Sequence, residues 1–104
     1  MNKDFTMAPD ITYSRRTLSA MMGLDDRAMR AQVRKQRREG VPIMAVRGGG
    51  YKIAETDQEK RELLHMYRKR ALDELTTYYK LMKTLQVDGQ ITVDELMKKV
   101  EEAA

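Results

Sequence analysis

A chain of 104 residues has room for one small domain. The absence of cysteine excludes a disulfide framework and a thiolate metal site. The formal net charge of +4 conceals a division, since residues 1–54 carry 11 Lys/Arg against 5 Asp/Glu and residues 55–104 carry 9 against 11. A basic first half beside a slightly acidic second half points to polyanion contact by the first. No apolar run reaches membrane-spanning length, and Met1 to Asp10 lacks the apolar stretch of a signal peptide. Both features predict a cytoplasmic protein without a membrane partner.

Residues 1–10 have no apolar periodicity and Pro9 opposes a helix there, so this segment reads as a flexible N-terminal arm. A strand-like lead-in at Ile11 is the other reading. Thr12 or Ser14 can cap a helix running to about Met22, with Leu18, Met21 and Met22 on one face. Gly23 suits the positive φ of a helix end, and Leu24 can fill the corner behind it. Asp25 is a natural N-cap for a second helix, in which Ala28, Met29 and Val33 make a narrow apolar stripe. Arg27, Arg30, Ala31, Arg34 and Arg38 recur at helical spacing on the other side. Gly40 ends this helix and Pro42 prevents its restart. Ile43 to Val46 and Tyr51 to Ile53 alternate as half-buried strands do, joined through Gly48, Gly49 and Gly50.

Thr56 and Glu59 form a capping box, and no Gly or Pro follows until past Asp88. A helix over about 57–87 is expected, roughly 45 Å long at 1.5 Å per residue. Leu64, Tyr67, Ala71, Leu75, Tyr78, Met82 and Leu85 lie on one side of it, with Leu63, Leu72, Tyr79 and Leu81 widening the stripe. So broad an apolar surface predicts cover by a second copy of the chain, unless the helix breaks near Thr76-Thr77 and folds back. Thr92 and Glu95 form another capping box, so 88–104 reads as a turn and a short last helix.

The run Leu18-Ser19 … Met22-Gly23-Leu24-Asp25, Arg27-Ala28-Met29, Val33, Arg37 and Gly40 resembles the winged helix-turn-helix of biotin-repressor type. Gly40-Val41-Pro42-Ile43 and Gly50-Tyr51-Lys52-Ile53-Ala54-Glu55-Thr56 extend the likeness to small winged-helix proteins of phages and prophages. The similarity covers residues 11–56. It implies a mainly α fold with a small β-hairpin, followed by a long helix and a short last helix. Two departures stand out. Such domains usually carry a full helix before the turn-helix pair, a place that the long helix over 57–87 is expected to fill. Gln36 also stands where a core leucine is usual, which predicts a shallow core or an added polar contact.

The resemblance implies binding of double-stranded DNA, in a bacterial or phage-infected cell, by a regulator of transcription or an accessory to replication or packaging. Asp26, Arg27, Arg30, Ala31 and Arg34 would face bases in the major groove. Arg15, Arg16, Arg37 and Arg38 would meet phosphates, and Arg47 with Gly48 and Gly49 would form the wing tip. A solvated helix face is the plainer reading of these arginines, and a protein-interaction adaptor is the competing function.

Other motifs carry less. Asp88 to Glu95 imitates half of a calcium loop, but Gln86 and Thr84 stand where ligand carboxylates are needed, so a turn with an N-cap is the better reading. His65 is the only histidine and has no nucleophile or metal-ligand set around it. The nine methionines and Tyr67, Tyr78 and Tyr79 read as core or interface. Gly48–Gly50 lacks the Lys-Ser/Thr pair of a nucleotide loop. No catalytic residue, metal site, cofactor or small-molecule substrate is expected.

Overall fold

The computed structural model describes residues 5–86 and 91–104. Helices α1 (Arg15–Met22), α2 (Asp26–Arg38), α3 (Asp57–Leu85) and α4 (Val93–Ala103) enclose, between α2 and α3 in the chain, strands β1 (Ile43–Val46) and β2 (Gly50–Ile53). This is the expected mainly α class with one hairpin, a long helix and a short last helix. The chain divides into two compact units, Met1–His65 and Met66–Ala104.

Local chemistry sets the ends of the elements in the first unit. Ser14 caps α1 by accepting from the Thr17 amide at 3.1 Å, and Gly23 ends it at φ 68°. Asp25 caps α2 by accepting from the Ala28 amide at 2.7 Å. The turn between α1 and α2 is thus two residues of cap chemistry around Leu24, which packs half-buried against the core. Strands β1 and β2 pair antiparallel with Ile43 opposite Ile53 and Val46 opposite Gly50.

Tyr13 adds a third, one-residue strand. It exchanges two backbone hydrogen bonds of 2.8 Å with Tyr51, one in each direction. A Cβ on Gly50 would stand 2.6 Å from the Tyr13 carbonyl oxygen, so this close approach requires glycine.

The core gathers Met7, Tyr13, Leu18, Met22, Met29, Val33 and Ile43, with Phe5, Leu24, Val41, Tyr51 and Ile53 packed against it. Two expectations are corrected here. The segment 1–10 is not a free arm over its described residues, because Met7 is 3% exposed and Phe5 meets the Tyr13 ring edge-on at 5.8 Å. Nor does the helix expected over 57–87 complete the core, since α3 has no buried residue. Phe5, Met7 and Tyr13 supply the apolar surface that a preceding helix would have brought. Gln36 takes part in this replacement: its amide nitrogen donates to the Phe5 carbonyl at 3.1 Å. Of the two outcomes open for that position, the polar contact is the one found.

Helix α3 begins at the expected box. The Thr56 hydroxyl accepts from the Glu59 amide, and the Glu59 carboxylate accepts from the Thr56 and Glu55 amides, each at 3.1 Å. No break occurs at Thr76-Thr77, whose hydroxyls donate to the carbonyls of Leu72 and Asp73 four residues earlier. In the second unit Thr92 caps α4 by accepting from the Glu95 amide at 3.1 Å, and the Tyr78 hydroxyl donates to the Ile91 carbonyl at 3.3 Å. Leu72, Tyr79, Leu81, Leu85, Val93, Met97 and Val100 are exposed. The half calcium loop begins at Asp88, and its residues 88–90 lie outside the described residues.

Candidate nucleic-acid interface

Helix α2 is fixed from behind. Met29 and Val33 are fully buried, which turns Arg27, Arg30, Ala31, Arg34 and Arg38 outward within an arc of roughly 100° at 3.6 residues per turn. All five are exposed. Among the described residues Arg27, Arg34 and Arg38 have neither an ion pair nor a hydrogen bond from the side chain. The face is therefore a row of guanidinium groups held on a rigid element, with Arg30 the one member engaged.

Asp26 engages it. Arg30 Nε stands 3.1 Å from Asp26 Oδ2, one helical turn away. The same carboxylate receives the side of the Arg15 fork, with Nε 3.0 Å from Oδ1 and Nη2 2.5 Å from Oδ2. This hydrogen bond holds the Asp26 carboxyl below its ordinary value and the Arg15 guanidinium above its own. Arg15 also passes the hairpin turn, because a Cβ on Gly49 would lie 3.5 Å from its Cδ. One carboxylate thus links the start of α1 and the start of α2, and Arg15 carries that link to the turn of the hairpin.

The turn itself presents Arg47, Gly48 and Gly49, all exposed, with φ of 97° and 90° at the two glycines. Arg16 is exposed on α1 and, among the described residues, its side chain has no partner. Arg37, expected at a phosphate, also has partners within the fold. Its Nε donates to the Ile43 carbonyl at 2.8 Å, and its guanidinium lies 6.0 Å from the centre of the Tyr51 ring. That side chain fastens the end of α2 to the base of the hairpin.

Helical spacing separated the outer arginines from the core stripe, but it could not distinguish Arg15 and Arg37 from the rest. Their partners, Asp26 and Ile43, lie 11 and 6 residues away across turns. Lys52 gave no sequence signal either. It pairs with Glu59 at 2.5 Å and, with the capping amides, lowers the Glu59 carboxyl to about 2.

Among the described residues no cluster of His, Cys, Asp and Glu is arranged to hold a metal ion, and no helix is long and apolar enough to cross a membrane. No family model, curated protein or solved structure matches the chain.

Proposed function

We propose that this protein binds double-stranded DNA as a winged helix-turn-helix protein of phage or prophage type. In this reading α2 enters the major groove and the Arg47–Gly49 turn meets the neighbouring backbone or minor groove. Arg16 and Arg38 neutralise phosphates, while Arg27, Arg30, Ala31 and Arg34 face base edges. The carrying observation is the exposed arginine row of α2, whose members Arg27, Arg34 and Arg38 have no partner among the described residues while Met29 and Val33 hold the opposite side in the core. Regulation of transcription is the default task in a bacterial or infected cell, with replication or packaging as the near alternatives. A second copy of the chain, paired through the exposed apolar side chains of α3, would present two such helices to successive half-sites. No catalytic step is part of this reading.

The test is retention on a random duplex pool over a series of salt concentrations, with sequencing of the retained duplexes. A log affinity that falls by about 0.9 per phosphate neutralised for each log unit of salt, together with an enriched motif, supports sequence-specific binding. A steep fall without a motif supports packaging. Absence of binding at low salt removes the DNA reading and favours a protein adaptor. The Arg15–Asp26–Arg30 pairing is the observation on that side, because it lowers the free positive charge of the face.

A further inference from the structure

Arg30 and Arg15 both meet Asp26, yet they use the carboxylate differently. Arg15 approaches with the Nε–Nη2 side of its fork and takes both carboxylate oxygens. Arg30 forms an ion pair with the carboxylate whose closest approach is Nε, 3.1 Å from Oδ2. An arginine has two edges of paired donors, and the end-on edge formed by Nη1 and Nη2 matches guanine O6 and N7. That edge of Arg30 makes no hydrogen bond among the described residues, and Arg30 is exposed on the outer face of α2 with Asp26 its one side-chain partner there. A free arginine side chain loses rotamer freedom when it is fixed, and one already paired with Asp26 has less to lose.

The geometry points to Asp26 as a positioning residue, held in place by Arg15, that aims the free edge of Arg30 at a guanine. This rests on the DNA reading above and refines it. Asp26 does not itself read a base, since one oxygen is taken by Arg15 and the other is shared between Arg15 and Arg30. Selectivity at one position of the site comes from the Arg15–Asp26–Arg30 relay, whereas Arg27 and Arg34 act without such a support.

The experiment measures competition among duplexes permuted at each position of the selected site, for the full chain and for Arg30→Ala, Asp26→Ala and Asp26→Asn. Arg30→Ala identifies its own position as the one where preference is lost. At that position the unaltered protein prefers guanine by about tenfold or more, the range of one bidentate contact. Asp26→Ala reduces that preference to less than about threefold at that position alone, while binding to random duplex tightens because a negative charge leaves the face. A merely structural role would move the two readouts together, weakening both. Asp26→Asn keeps an oxygen acceptor and retains most of the preference. In the Arg30→Ala background Asp26→Ala changes nothing further at that position. Guanine preference that survives Asp26→Ala overturns the proposal and leaves the DNA reading standing. So does an unaltered protein that binds a motif without guanine at the Arg30 position. Failure of the unaltered protein to bind any duplex removes both.

Discussion

The side-chain amide of Gln36 donates to the Phe5 carbonyl at 3.1 Å, so α2 holds a segment that precedes it in the chain by 31 residues. That bond lies beside Met7, which is 3% exposed, and beside the edge-to-face contact of Phe5 with Tyr13. The Tyr13 hydroxyl in turn accepts from the Ala8 amide at 2.9 Å. Residues 5–13 thus form a lid over the inner sides of α1 and α2, in which Phe5, Met7 and Tyr13 supply the apolar side chains and hydrogen bonds to Gln36 and Tyr51 tie the segment down.

Met7→Ala should cost about 2–5 kcal/mol, the usual range for emptying a buried methionine site. Gln36→Ala should cost about 1 kcal/mol by leaving the Phe5 carbonyl without its donor. Urea unfolding of both variants checks these values. A Met7→Ala protein as stable as its parent would mean that the segment is a free arm after all.

Gly50→Ala should be the most damaging change in the hairpin. The new Cβ would sit 2.6 Å from the Tyr13 carbonyl oxygen, which belongs to backbone and cannot rotate aside. A loss of about 1–3 kcal/mol is expected from forcing the two strands apart. Gly48→Ala meets no atom within 4 Å and pays only for its φ of 97°, about 1 kcal/mol. Thermal melts that place Gly48→Ala below Gly50→Ala would contradict this order.

Glu59 links stability to pH. Lys52 and the amides of Thr56 and Glu55 lower its carboxyl from an ordinary 4.5 to about 2 in the folded state. The charged form is favoured by folding, so its contribution is complete above about pH 4.5 and disappears as pH falls towards 2. Glu59→Gln retains a capping oxygen and loses the charge. The melting temperatures of parent and variant should therefore differ at pH 6 and converge near pH 2. A constant gap over that range would assign the effect to packing instead.

Arg34 and Arg47 should separate specificity from affinity. Arg34→Ala should cost about 1–3 kcal/mol at one position of the DNA site, and Arg47→Ala should reduce the salt slope by about 1. Both are exposed, so the melting temperature should hardly move. Equal losses on every sequence for Arg34→Ala would reassign it to phosphate.

The exposed side of α3 should govern association. Leu72 and Leu81 are each 52% exposed, and glutamate at both places should convert a dimer to a monomer in sedimentation velocity. Since the core cluster draws on no residue of α3, the pair of changes should leave cooperative unfolding of the Phe5–Ile53 core intact. A parent chain that sediments as a monomer throughout would remove the dimer from the proposal.

Much of this fold could be read in order along the chain. The caps at Asp25, Thr56 and Thr92 are each hydrogen bonds to an amide three residues on, a distance at which residue type predicts the partner, and the structure selects Ser14 over Thr12 for the first helix. Gly23 and the Gly48-Gly49 turn were equally legible, because positive φ selects glycine. The outward arginine row of α2 followed from 3.6-residue periodicity once Met29 and Val33 were assigned inward.

What the sequence determined by itself is therefore the set of elements, their ends and the two sides of α2, all of them consequences of short-range hydrogen bonding and helical period. Tertiary structure decided the rest. It chose Phe5, Met7 and Tyr13, and not α3, to close the core, and it divided the arginines into those tied to Asp26 or Ile43 and those left facing outward. Those outcomes depend on contacts between segments brought together only by packing, where apolar burial and the pairing of a carboxylate are decided by distance in space.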